Sequence, residues 1–176
     1  VAGLLRPGTT FINIGTAAQL LAVAEPQPDP ASRFTFGHCI PDTYLAMGSL
    51  FSAGLSVRWF VERMHPSGAP TAADAADYGR IDALAETVPP GARGLLFLPY
   101  LSGASLPDAD PLARGAFVGL TPAHGTAELA RAIIEGVALG IRVALDGLDP
   151  TGASRELVLG GGVSVSEAWP WVLANV

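Results

Sequence analysis

The sequence predicts an α/β domain, and three stretches carry that prediction. Residues 10–14 (TFINI) are a β-branched and aromatic run that follows a Pro7-Gly8 turn. Residues 156–159 are a second strand-like run, leading into Gly160-Gly161-Gly162 and a helix start. Between them, Leu129, Ile133, Val137, Ile141, Leu145 and Leu148 recur at helical spacing in a helix opening near Thr126.

That helix organises residues 94–148. Ala132, Gly136, Gly140 and Ala144 form a second row along it, made only of small side chains. Each mid-helix glycine costs about 1 kcal/mol relative to Ala. Two in one helix imply compensation, most simply a second backbone packed against the row. The helix is therefore expected to be central and clasped on more than one side. Nothing in the pattern accounts for Glu135, a charge at the edge of that row.

Composition sets the bounds. The 176 residues suit one domain, and 49% hydrophobic residues with a mean hydropathy of +0.39 provide ample core. A formal net charge of -6 and a pI near 4.9 argue against a nucleic-acid partner, which needs a basic patch. The single Cys39 excludes an internal disulfide and a Cys-rich metal site, which fits a reducing, cytoplasmic location. Pro, Gly, Asn or charge interrupts every apolar run, so no membrane span is expected. Val1 is not Met, and residues 167–176 stop in a helix-like run without a stop signal. Both observations suggest a piece of a longer protein, incomplete at both ends.

In chain order, Gly15-Thr16-Ala17-Ala18 follows the first strand, and residues 20–23 are apolar again, which reads as a hairpin bending at Gly-Thr. Such a turn can present N–H groups and a hydroxyl to a phosphate, or can be only a turn. Residues 25–32 read as a Pro-rich surface loop and residues 34–38 as a strand. Adjacent His38 and Cys39 make poor joint ligands, so a half-buried His and a buried thiol are expected rather than a metal site. Residues 43–64 carry a helix from about Phe51, with Leu55, Trp59, Phe60 and Met64 as its apolar face. Gly48 and Gly54 before and at its start fit tight packing better than ligand approach.

Residues 65–68 (HPSG) end that helix, and residues 71–74 (TAAD) resemble a capping box with Asp in the Glu position. Tyr78, Ile81, Leu84 and Val88 then form a helix face that Pro89-Pro90-Gly91 stops. Residues 95–98 read as a strand covered on both sides. Asp108 and Asp110 could hold Mg²⁺ or do acid–base work, but Asp110-Pro111 is more simply a turn. Residues 115–120 read as a further strand. Residues 148–154 form a turn, and Ser166 is a good N-cap for a helix over residues 164–167 onward. Strand, glycine turn and helix start suit an anion or nucleotide. The dinucleotide and Walker A patterns are absent, as are G-x-S-x-G and H-E-x-x-H.

Several of these pieces together resemble the carboxy-terminal domain of the FGGY family of carbohydrate kinases, most closely its xylulokinase branch. Gly115, Phe117, Gly119-Leu120, Glu128-Leu129 and Ala132-Ile133-Ile134-Glu135 match the family's second signature, gap included. Residues 96–103 (LFLPYLSG) and Asp110-Pro111-x-Ala113-Arg114-Gly115 match its surroundings. Residues 13–16 look like the phosphate-binding Gly-Thr motif, residues 48–59 (GSLFSAGLSVRW) like the segment lining the nucleotide pocket, and residues 160–169 like the adenosine motif.

The resemblance implies a ribonuclease-H-like fold of the actin-like ATPase superfamily. It implies transfer of the γ-phosphoryl of ATP, with Mg²⁺, to a hydroxyl of a ketose or polyol such as D-xylulose. Gly15 and Thr16 would then contact the phosphates, Gly54 and Arg58 border the nucleotide, and Gly161, Gly162 and Ser166 lie by the adenosine. No metal ligand is assigned in this chain. The general-base Asp would precede Val1, in an amino-terminal domain that binds most of the sugar. A homodimer is compatible with the family. The sequence departs from the family at Ala104-Ser105, where Glu-Arg is common, at Arg58, where some members have Gln, and at Trp171 and Asn175, which replace Gln and Asp. Those departures keep two rivals in play, a non-catalytic actin-like interaction module and a divergent inactive homologue. A Rossmann-type dehydrogenase piece rests only on the strand–glycine–helix pattern.

Overall fold

The computed structural model describes residues 8–24, 34–63, 75–105, 109–149, 152 and 156–176. The loop at 25–32, Met64, the helix stop at 65–68, the cap at 71–74, Asp108 and most of the turn after Leu148 lie outside them.

Strands β1 (Thr9–Ile14) and β2 (Ala18–Ala24) form the expected antiparallel hairpin, with Ile14 opposite Ala18. Strands β3 (Thr35–Gly37) and β4 (Tyr44–Leu50) extend the sheet, β4 pairing antiparallel with β2. Helices α1 (Ala53–Arg63) and α2 (Ala75–Glu86) follow. A 3₁₀ turn at Ala92–Gly94 leads to β5 (Leu96–Leu98), which among the described residues pairs only with β6 (Ala116–Val118). Helix α3 (Thr126–Leu148) crosses back to β7 (Glu156–Gly161), a second 3₁₀ turn (Gly162–Val165) and α4 (Ala168–Ala174).

The main sheet runs β3-β4-β2-β1-β7, with β7 parallel to β1 and the other pairs antiparallel. An antiparallel meander extended by a parallel strand beside β1 is the ribonuclease-H-like arrangement, not the all-parallel sheet of a dehydrogenase domain.

Helix α3 is the central element, as its glycines imply. Ile133, Ile134 and Val137 are fully buried, and each such side chain contributes about 1.5–3 kcal/mol. A Cβ on Gly136 would overlap the Phe97 carbonyl of β5. One on Gly140 would press on Leu50 at 3.1 Å and Pro99 at 3.2 Å. On the sheet side, a Cβ on Gly48 would stand 3.3 Å from the Ala144 carbonyl. The sheet and the β5–β6 ribbon therefore clasp α3 from two sides.

Glu135 now has a role. Its two carboxylate oxygens accept the Gly91 N–H at 3.0 and 3.1 Å, and Oε1 takes the Arg131 Nε–H at 2.6 Å. Arg131 is only 5% exposed, and its guanidinium lies 5.5 Å from the ring centre of Trp171. This pair ties α3 to the turn that follows α2.

Several expectations are corrected. Residues 44–50 are strand β4, not the approach to a helix, because their backbone completes the β2 edge. Helix α1 begins at Ala53, not Phe51, and buries Ala53, Ser56, Val57, Phe60 and Val61. Leu55 and Trp59 are only half-buried, since the docking of the helix's first turn sets its rotation. Strand β5 is covered on one face only, with Leu96 38% exposed, because it sits in a two-stranded ribbon rather than inside the sheet. Residues 162–165 form a 3₁₀ turn before α4, and Ser166 is extended (φ −79°, ψ 146°). Its hydroxyl still accepts the Trp169 N–H at 3.3 Å, which is the capping contact expected of it. Cys39 is exposed rather than buried.

Among the described residues no helix is long and apolar enough to cross a membrane, and no group of three His, Cys, Asp or Glu side chains could hold a metal ion. Asp110 makes the expected turn, its carboxylate accepting the Leu112 N–H at 2.8 Å.

The two α3 glycines should respond differently to alanine. Gly136→Ala meets rigid backbone and should lose about 1–3 kcal/mol in denaturant unfolding, despite alanine's helix preference. Gly140→Ala meets side-chain tips and should lose clearly less; equal losses would show that the Phe97 backbone contact is not the constraint.

Candidate functional site

The site starts from a backbone contact. Helix α1 begins with N–H groups that no earlier helical turn can satisfy. Two of them find the hairpin turn between β1 and β2: Gly54 N–H donates to Gly15 O at 3.0 Å and Leu55 N–H to Thr16 O at 2.9 Å. A Cβ on Gly54 would overlap that Gly15 carbonyl. Packing, the reading favoured for Gly54 from spacing, is therefore its first role. Gly15 N–H is committed to Ala17 O at 2.9 Å, so Thr16 is the residue through which this exposed turn offers donors.

The second turn comes from β7. Gly161 has φ +88°, and a Cβ there would collide with the Ile14 backbone of β1. Only glycine fits, and the strand can then swing out into the 3₁₀ turn. At Gly162 a Cβ would meet nothing within 4 Å.

The two turns, α1, α2 and the start of α4 enclose a cavity of about 440 Å³. Pockets for small molecules run from roughly 300 to 1,000 Å³. Six of the seven residues assigned to ATP from the sequence line it: Gly15, Thr16, Gly54, Arg58, Gly162 and Ser166. Gly161 does not; it shapes the turn from behind, against Ile14. Arg58 is exposed and lies 3.9 Å from Glu62.

Sequence reasoning missed the α2 wall. Tyr78, Gly79 and Asp82 all line the cavity, although the sequence shows Tyr78 only as part of an apolar helix face. Trp169, 3% exposed, lines it from α4, beside Val163 and Val165. One signal was available. Gly79 stands inside α2, where glycine is costly, and a Cβ there would meet nothing within 4 Å. Gly79 and Gly162 thus leave open, on two walls, space that side chains would otherwise fill.

Among the described residues that line the cavity, Asp82 is the anionic one. Burial pushes its carboxyl above the ordinary 3.8, and hydrogen bonds from the Ser166 and Trp169 side chains partly offset that rise.

The loop carrying the Ala104-Ser105 departure is pinned rather than loose. The Ser105 hydroxyl donates to the Ser49 carbonyl, and Ala104 and Asp110 exchange backbone hydrogen bonds at 2.8 and 3.2 Å.

Residues 10–176 match the family model described as "FGGY family of carbohydrate kinases, C-terminal domain". The chain is 31% identical over 179 residues to the xylulose kinase of Staphylococcus epidermidis, covering 99% of this chain and 34% of that protein. It is 29% identical to the gluconokinase of Bacillus subtilis, covering 98% and 34%. The crystal structure of the xylulose kinase from Rhodospirillum rubrum superposes with a TM-score of 0.87 at 30% identity, covering 99% and 34%. The chain thus spans about a third of the length of the curated relatives it matches.

The raised Asp82 value has a testable sign. The unfolded carboxyl ionises first, so wild type loses stability as pH rises from 3.8 through the higher folded value. Asp82→Asn lacks that loss. Denaturant unfolding of both proteins between about pH 3 and pH 7 should show the wild type falling relative to the variant as pH rises; a gap independent of pH would contradict burial as the dominant effect.

Proposed function

Because the chain belongs to the FGGY family of carbohydrate kinases, we propose that the protein is an ATP-dependent sugar kinase. It transfers the γ-phosphoryl group of ATP to a hydroxyl of a ketose or polyol, with D-xylulose as the preferred acceptor. This chain, residues 1–176, is its carboxy-terminal nucleotide-binding part. One observation carries the reading: two turns distant in sequence, Gly15-Thr16 and Gly162 to Ser166, open onto a single cavity with unfilled space at Gly79 and Gly162. The choice of xylulose is supported by relatives named xylulose kinase, and a sugar acid is the competing acceptor because a gluconokinase is also similar.

Bound ATP supplies the phosphoryl group and its leaving group. The chain's own residues do the rest by positioning and electrostatics. The Thr16 N–H and hydroxyl hold phosphate oxygens, on a turn that α1 keeps rigid through Gly54 and Leu55. Arg58 adds positive charge at the same wall. Gly162 lets the nucleoside approach the backbone closely, and the apolar side chains of Val163 and Trp169 exclude water from it. Mg²⁺ would enter with the nucleotide, held mainly by its phosphates. The general base and most sugar contacts belong to an amino-terminal domain, and closure between the two parts limits ATP hydrolysis. The protein acts in the cytoplasm, without nucleic-acid or membrane partners, and as a monomer or homodimer. Residues 1–176 alone bind ATP weakly and are inactive.

Thr16→Ala in the intact protein should lower turnover by about tenfold or more, with smaller change in sugar KM. A coupled assay over pentuloses, hexuloses, gluconate and polyols measures it. Wild-type kinetics in the variant would refute the role of Thr16. ATP binding with no phosphorylation of any acceptor would instead favour the non-catalytic module.

A further inference from the structure

Helix α2 brings a glycine and a carboxylate to the cavity, and packing within the protein accounts for neither. Gly79 lies inside the helix, where glycine costs about 1 kcal/mol relative to Ala. At Gly54 and Gly136 a neighbouring backbone forbids a side chain; at Gly79 nothing lies within 4 Å of the Cβ position. The space left there is the cavity itself, and Gly162 leaves the same kind of space on the β7 side. Two bare backbone walls in one cavity suit a flat ring.

Asp82 follows Gly79 by three residues and so shares its side of the helix. Ser166 and Trp169 line the same cavity as Asp82. An indole N–H can only donate. The Ser166 hydroxyl already accepts the Trp169 backbone N–H at 3.3 Å, so its proton is available to donate. Both side chains can therefore face Asp82 only as donors. An ionised carboxylate has about four acceptor positions and no donor, and no ion pair occupies them among the described residues. What remains is a half-buried acceptor on the wall of a slot that suits a ring.

Resting on the nucleotide reading above, we propose that Asp82 selects the base: with a purine seated between the backbones of Gly79 and Gly162, its carboxylate accepts a hydrogen bond from the 6-amino group of adenine. A 6-oxo purine presents a carbonyl at the same edge. Two acceptors then face each other, each deprived of water, and that arrangement is disfavoured. Ser166 and Trp169, which line the same cavity, are the neighbouring donors available to position the carboxylate.

The test is calorimetric binding of ATP, ITP, GTP and 2′-deoxy-ATP to the intact protein and to Asp82→Asn. Wild type should bind ATP at least about tenfold tighter than ITP. Asn can offer its amide N–H₂ to the 6-oxo group, so the variant should lose most of that ratio, by weaker ATP and equal or tighter ITP binding. Gly79→Ala should melt no lower than wild type yet weaken ATP and ITP alike, which controls for folding. An ATP/ITP ratio unchanged by Asp82→Asn overturns the proposal. So does an equal loss for ATP and ITP that 2′-deoxy-ATP escapes, which would assign the carboxylate to the ribose. A wild-type preference for GTP would mean that the carboxylate reads the N1–H and 2-amino edge, and overturns it too. Failure of the kinase reading looks different: no sugar is phosphorylated, while the ATP/ITP ratio still decides the role of Asp82. Absence of any nucleotide binding overturns both.

Discussion

The contact between Gly54 and the Gly15 carbonyl is the constraint on which the site depends. It joins the first turn of α1 to the bend of the β1–β2 hairpin through two backbone hydrogen bonds, and it leaves no room for a Cβ. A side chain at position 54 would push the helix away from the turn, and the exposed Thr16 would lose its rigid support. The same contact fixes the rotation of α1. That rotation buries Val57, Phe60 and Val61 in the core and carries Arg58 to the cavity. Local backbone chemistry and site geometry are here one arrangement.

Helix α3 supplies the frame that holds the two turns in register. It contributes no residue to the cavity lining. Its small-residue row accepts the Phe97 backbone on one side and approaches β4 at Gly48 on the other. Glu135 and Arg131 then lock it to the turn after α2. Since α2 carries Gly79 and Asp82, that lock also bears on the cavity wall. The signature residues of this stretch are thus mainly packing residues, and their influence on the site passes through α2 and β5.

What was legible in the sequence follows the range of the interactions involved. Glycine turns announce themselves locally, so Gly15-Thr16 and residues 160–162 were readable as turns at strand ends. The α3 glycines were readable too, because a costly residue inside a strong helical pattern demands a neighbour. Residues 44–50 were not readable as a strand, since a short continuous apolar run is ambiguous until a partner edge is known. Tyr78 and Asp82 were hidden for a similar reason. On α2 they look like an ordinary amphipathic face, and only the placement of α4 against that helix makes the face a cavity wall. Glu135 needed the position of Gly91, which lies far from it in sequence. Family resemblance supplied the roles of the turns but not of α2, where no motif was matched.

These elements converge on one claim, that the cavity between the hairpin turn, α1, α2 and the β7–α4 junction receives a nucleoside triphosphate. The most direct measurement is a crystal structure of the intact protein with a non-hydrolysable ATP analogue. The account predicts phosphate density at Thr16, the purine between Gly79 and Gly162, and Asp82 within hydrogen-bond distance of the 6-amino group. An analogue bound elsewhere, or a purine lying away from α2, would contradict it.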